Sequence, residues 1–413
     1  MRRSAQPFSH LIPGHDKLAD SQQHEGGAVS VGAVALGGEA DDSGARPGTS
    51  RFDWIILPLI AAATVGLLGY GTKSYTDFLS AHSEWLIGKC VRLTDTGPHA
   101  VPNSVCHEEN SYNQLVEYRF NSCGDRTSLD CEKKPDGAYR IVLLGASNPM
   151  GLSIPESDSL AERLSADLSR STHRRVEVYN AAMLGTAGSP DLLVNRMPQL
   201  MALRPDLMLW VISSWDVNPD KPDDAPAPPA GSQIRLRDVR RLLNQPKITA
   251  FLKGYLYRSQ SLFMAAYMRR VPGIAHLSAA VNTEEAERMR HLPLDVSTIA
   301  NQAKLAGVPV VAVFLPNRGE SGLLSISPRP AGIDPDRLNN NLRTIMSSNG
   351  AIYVDVVPEL EKAPNLDGLY DPYGSHLNAE GQGVLAQILS NALTAGAVPT
   401  LSPNEQAKSE KTQ

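Results

Sequence analysis

Apolar and polar positions alternate in three ways along the chain. Trp54 to Tyr70, WIILPLIAAATVGLLGY, is an unbroken run of 17 uncharged residues. That length is at the short end for crossing a hydrocarbon core about 30 Å thick. Phe52 and Tyr75 extend the run, and Trp54 and Tyr70 stand where interfacial aromatics belong. Pro58 falls near the start of the run, where a lost N–H costs little. A buried core helix would show a polar face, and none is visible. A cleaved signal peptide would begin near residue 1 rather than behind a long polar segment. The pattern predicts a transmembrane helix, an uncleaved signal-anchor, over residues 52–72.

From residue 139 the pattern changes to short apolar runs separated by segments of helical period. Arg140 to Leu144 is an apolar run that ends at Gly145, as a buried parallel strand does. Further strands are expected at Val176–Tyr179, Asp206–Ile212, Val308–Leu315 and Ala351–Val357. Helices are expected at Ser159–Leu168, with Leu160, Leu164 and Leu168 on one face, at Thr283–Leu305 closed by Gly307, at Arg337–Met346, and at Glu380–Ala395. Strand and helix in alternation predict an α/β fold, a doubly wound parallel sheet with helices on both faces. Reactive groups in such sheets gather at the carboxyl ends of the strands.

The alternation breaks over about residues 218–280. NPDKPDDAPAPPAGS is an exposed loop by composition. Arg235 to Arg270 is basic and amphipathic, with Tyr255, Tyr257, Phe263 and Tyr267. It reads as a helical insertion with its apolar stripe on the domain, or as a lid facing the membrane or the substrate.

Composition refines this division. Residues 1–51 are rich in Gly, Ser, Ala and charge, with too little apolar surface to offset ordering entropy, and are expected to be disordered. The polar tail, residues 397–413, is expected to fray. Arg2, Arg3, Lys17, Arg46 and Arg51 precede the apolar run, and Lys73 is the one close basic residue after it. The positive-inside rule then places the N-terminus in the cytoplasm and the main domain outside, in the periplasm of a bacterial cell. All four cysteines, Cys90, Cys106, Cys123 and Cys131, fall in the outer extension, residues 73–135. An even, clustered set on the oxidising side suggests two disulfides, with three possible pairings. Zinc is disfavoured because the 15, 16 and 7 intervening residues contain no C-x-x-C. A net charge of −5 and 6% aromatic residues point away from nucleic acid as a partner.

Two places carry candidate chemistry within the domain at residues 136–396. Gly145-Ala146-Ser147 follows the first strand, where a glycine permits a sharp turn and the serine hydroxyl is exposed among backbone N–H groups that can receive an oxyanion. His376-Leu-Asn-Ala-Glu-Gly381 precedes the closing helix, with Asp371 five residues and Asp367 nine residues before the histidine. Each alone is weak, since a serine at such a turn is commonly a helix cap.

Taken with their spacing, these segments resemble the SGNH (GDSL-like) hydrolase family over about residues 116–395. The resemblance runs through Tyr118-Arg-Phe-Asn-Ser-Cys-Gly-Asp-Arg126, Tyr139 to Ser147, Val178-Tyr-Asn-Ala-Ala-Met-Leu-Gly185, Pro205-Asp-Leu, Trp215-Asp216, Gly307-Val-Pro-Val-Val and His376 to Gly381. It implies a flavodoxin-like sheet, Ser147 as nucleophile, His376 as general base and then acid, and a carboxylate that orients the imidazole. Asp371 is preferred to Asp367 for that carboxylate, which requires residues 372–375 to loop out. The backbone N–H groups of Ser147 and Gly185 would serve as oxyanion donors. The chain departs from the family at Ala146, where Asp is usual, at Trp215, where a donor Asn is usual, and at Tyr373, where the acid is usual. Trp215 and Asp216 are candidate pocket residues.

The resemblance and the topology together imply a membrane-anchored extracytoplasmic ester hydrolase or O-acyltransferase acting on acyl or acetyl esters of a carbohydrate or envelope polymer. The alternative is a catalytically impaired glycan-binding or envelope-interaction module of the same fold, with Trp215 as a stacking surface. Neither cofactor nor metal is expected. The expected partners are the bilayer, through residues 52–72, and an acylated carbohydrate or small ester.

Overall fold

A computed structural model describes residues 53–82, 86–94, 97–110, 112, 114–217, 256–271, 274–279, 283–372 and 376–402. The expected disordered segment 1–51, residues 218–255 of the insertion and the tail from 403 lie outside the described residues. The apolar run falls in helix α1 (Asp53–His82), where Ile56, Leu57, Leu59, Ile60, Val65, Leu67, Leu68 and Tyr70 are exposed. Among the described residues no helix is long and apolar enough to cross a membrane.

The extension after α1 is folded. The short helix α2 (Leu86–Lys89) leads into a hairpin of β1 (Val91–Thr94) and β2 (Gly97–Ala100), then a second of β3 (Val105–Glu109) and β4 (Leu115–Arg119). Of the three possible cysteine pairings, the disulfides are Cys90–Cys106 and Cys123–Cys131. Cys90 and Cys106 sit in a buried cluster with Val116, Tyr118 and Phe120, and Met150, Met183 and Leu184 of the main domain complete that cluster. Arg126 is buried under the Tyr118 ring and donates to the carbonyls of Met150, Gly151 and Ile154. The extension therefore supports the turn that carries Ser147.

The main domain is built on β5 (Tyr139–Gly145), β6 (Val176–Asn180), β7 (Leu207–Ile212), β8 (Val310–Phe314) and β9 (Ile352–Tyr353), all parallel, in the order β6-β5-β7-β8-β9. Strand residues point alternately to the two faces. Val142 and Leu144 join Trp210 and Ala312 in one core; Ile141 and Leu143 join Leu209 and Val311 in the other. This explains why the strand sequences are apolar throughout rather than alternating. In chain order the helices are α3 (Ser147–Met150), α4 (Leu160–Thr172), α5 (Pro190–Ala202), α6 (Ser214–Val217), α7 (Gln260–Met268), α8 (Thr283–Leu305), α9 (Arg318–Leu324), α10 (Arg337–Ser348), α11 (Val357–Leu360) and α12 (Ala379–Ala392). Helices α5, α8 and α10 cover one face, and α4 and α12 the other.

The strands match the sequence reading except at the last, expected over Ala351–Val357 but only Ile352–Tyr353 in length. It lies at the sheet edge, where one neighbour supplies all its pairing. The chain also remains folded past residue 397. Val398 and Leu401 are fully buried in the second core, so fraying cannot begin before 403. The described part of the insertion centres on α7, which packs on α9. Gly319 lies against the Tyr267 ring and Gly322 against the Met264 side chain, so a Cβ at either position would force that side chain to move.

Candidate active site

The site forms at the carboxyl end of the sheet. Gly145 closes β5 at φ 142°, with Val211 O and Pro149 where a Cβ would stand. Only glycine allows this close turn, and it delivers Ser147 to the first position of α3. The backbone N–H of Ser147 makes no hydrogen bond within the described residues, as expected for a helix start.

His376 arrives from the far end of the sequence. Ser147 Oγ and His376 Nε2 are 2.7 Å apart. The histidine loop is braced at several points. The Asn148 side chain accepts from Leu377 N at 2.9 Å, and Gln382 Nε2 donates to Asn148 O at 2.9 Å. Asn378 caps α12 with its Oδ1, while its Nδ2 donates to Gly368 O. Asp371 N donates to His376 O at 2.8 Å, beside an antiparallel bridge between Tyr370 and Leu377. That bond joins Asp371 directly to His376; residues 373–375, Tyr373 among them, lie outside the described residues.

Burial pushes the His376 imidazole below its ordinary pKa, and the Asp371 carboxylate pulls it partly back up. Asp367 has a different partner. It is held by Arg318 through two hydrogen bonds of 2.6 Å each, and Arg318 also donates to Pro372 O and Tyr257 O and stacks 4.2 Å from the Phe263 ring. Arg318 therefore ties the histidine loop to the insertion. This role gives no periodic or motif signal in the sequence, because it depends on groups 49 to 61 residues away.

A cavity of about 290 Å³ opens over the pair, lined among others by Ser147, Gly185, Trp215, Asp216, Asn317 and His376. Gly185 has φ 66° and an N–H with no backbone partner in the described residues. Trp215 is half exposed, as an open wall of the cavity. Asp216 is buried; its Oδ2 accepts from Ser213 N and Oγ at 2.7 and 2.8 Å, and its Oδ1 has no partner among the described residues. Burial lifts this carboxyl to about 6, against the two bonds from Ser213. The cavity thus gathers Ser147, His376, Gly185, Trp215 and Asp216, with Asp371 behind the histidine. The four cysteines sit apart, in the extension. Among the described residues no group of three or more His, Cys, Asp or Glu could hold a metal ion.

No protein-family model matches the chain, and no curated protein matches it. Solved structures do. The lipase/acylhydrolase from Enterococcus faecalis is 13% identical, with 62% of this chain and 95% of that one covered at a TM-score of 0.37. The Axe2 acetylxylan esterase from Geobacillus stearothermophilus, in a Ser→Ala catalytic mutant, is 12% identical, with 61% and 92% covered at 0.33. A proposed GDSL-like lipase from Parabacteroides merdae is 13% identical, with 62% and 94% covered at 0.32. These structural neighbours are described as a lipase/acylhydrolase, an acetylxylan esterase and a GDSL-like lipase.

Proposed function

We propose that the chain is a serine ester hydrolase or O-acyltransferase that acts through an acyl-enzyme. The observation that carries this reading is the 2.7 Å contact between Ser147 Oγ and His376 Nε2 at the floor of an open cavity. An imidazole kept neutral by burial can take the hydroxyl proton as Oγ attacks an ester carbonyl. The Asp371 carboxylate stabilises the imidazolium that results, which then gives its proton to the leaving alcohol. The N–H groups of Ser147 and Gly185, which have no backbone partner among the described residues, would receive the oxyanion. Water, or a sugar hydroxyl, attacks the acyl-enzyme in the second half.

The substrate in this reading is an acyl or acetyl ester of a carbohydrate or envelope polymer. Trp215, half exposed on the cavity wall, offers an aromatic face suited to a sugar ring. A glycan-binding module would use the same tryptophan but would leave the Ser147–His376 contact without a purpose. The reading includes anchoring through residues 52–72 with the domain on the extracytoplasmic side. The uncharged run from Trp54 to Tyr70 and the two disulfides support it.

Turnover of p-nitrophenyl acetate and of acetylated xylan by the wild-type chain and by Ser147→Ala tests the proposal. Acetate release by wild type alone supports it; equal rates in the two proteins refute it.

A further inference from the structure

Position 215 carries an indole, Trp215, in place of a carboxamide. The sheet register shows a carboxamide one strand over. Ile212 of β7 pairs with Phe314 of β8. Trp215 lies three residues beyond the first, and Asn317 three residues beyond the second. Both line the cavity over Ser147 and His376.

The Asn317 side chain is fixed. Its Oδ1 accepts from Gly319 N at 2.9 Å and Glu320 N at 3.0 Å, capping α9. Glu320 completes the capping box by accepting from Asn317 N at 2.8 Å, and His276 Nε2 holds its other oxygen at 2.6 Å. Glu320 and His276 are both buried. With Oδ1 engaged twice, the amide can turn only one way, and Nδ2 is left without a partner among the described residues. A donor held in place before binding loses little entropy when it bonds a ligand. Two strand spacings of about 4.8 Å separate β8 from β5, the strand that carries Ser147. Asn317 therefore lines the same cavity from a strand two places across the sheet from the one that leads to Ser147.

We propose that Asn317 Nδ2 is a specificity-determining donor, bonding an oxygen of the alcohol portion of the ester and favouring O-acylated sugars and polyols over simple alkyl esters. This rests on the ester-hydrolase reading. The test compares the full-length wild-type chain with Asn317→Ser and Asn317→Asp, both of which keep an oxygen able to cap α9. Ratios of kcat/KM for an acetylated methyl glycoside over ethyl acetate are measured. The ratio is expected to fall about 10-fold or more in both variants, with melting temperatures retained. An unchanged ratio overturns the proposal, even if both substrates slow together, since that places Asn317 at the shared carbonyl. A second arm measures binding of acetylated xylooligosaccharide by calorimetry in Ser147→Ala, with and without Asn317→Ser. Binding about 10-fold weaker with Asn317→Ser supports the donor role. Equal binding, or none in either protein, overturns it. Absence of turnover by the wild-type chain counts against the ester-hydrolase reading, and the calorimetry still decides the role of Asn317.

Discussion

Ser147 Oγ meets His376 Nε2 at 2.7 Å across 229 residues of sequence, and the contact is built from both sides. Asn148, the neighbour of the serine, accepts from the backbone of Leu377, the neighbour of the histidine. Gln382 of α12 bonds both Asn148 O and Leu160 N, which ties the two segments to α4. Side chains held in this way keep the reacting groups in register without substrate.

The pH profile follows from the burial of His376. Its pKa lies below the ordinary value of 6.5, so the base form persists into mildly acidic solution. The acid limb of kcat/KM is expected to have its midpoint below 6.5. A midpoint above 7 would contradict the assignment.

The two aspartates before the histidine should separate by phenotype. Asp371→Asn is expected to lower kcat by ~10⁴-fold with little change in melting temperature, because it removes the charge that orients and stabilises the imidazolium. Asp367→Ala leaves the buried Arg318 guanidinium without its carboxylate and is expected to cost about 3 kcal/mol in a denaturation curve. Reversal of these two effects would assign the orienting role to Asp367.

Asp216 makes stability depend on pH in a defined direction. Its folded pKa of about 6 is above the ordinary 3.8, so its contribution is fully present below 3.8 and is lost as pH rises through 6. Asp216→Asn removes the cost of the buried charge and can still accept from Ser213. The variant is expected to gain up to ~3 kcal/mol at pH 8 and less at pH 5, read from thermal melts at both values. Equal shifts at the two pH values would mean that Asp216 is not a strained buried carboxylate.

Reduction should weaken both fold and site. The Cys90–Cys106 disulfide lies in the cluster that contains Met150 and Met183, close in sequence to Ser147 and Gly185. Reductant is expected to lower the melting temperature by an amount equivalent to ~2–4 kcal/mol per bridge and to reduce ester turnover in parallel. An unchanged melting temperature would contradict a structural role for the bridges.

The parallel sheet was legible because each strand is a short apolar run bounded by turn residues, whereas Ser147, His376 and Gly185 were singled out through the motif spacing of the resemblance, and the structure brings all three to one cavity. Asp371 was preferred to Asp367 on condition that residues 372–375 loop out; the structure pairs Asp371 N with His376 O and gives Asp367 to Arg318. In the extension, only the cysteines and the Tyr118–Arg126 segment were legible. Its hairpins, Val91–Ala100 and Val105–Arg119, are too short and too mixed in polarity for period to reveal. Arg318 and Asn317 were not legible at all. One depends on an ion pair 49 residues away, and the other on strand register, neither of which leaves a local pattern.

The central claim is that Ser147 is a nucleophile activated by His376. Intact-mass spectrometry after treatment with a fluorophosphonate tests it most directly. One adduct on wild type, mapped to Ser147, absent in Ser147→Ala and slowed at least ~10²-fold in His376→Ala, is the expected result. An unmodified wild-type chain across pH 6–9, or an adduct that forms equally fast without the imidazole, would contradict it.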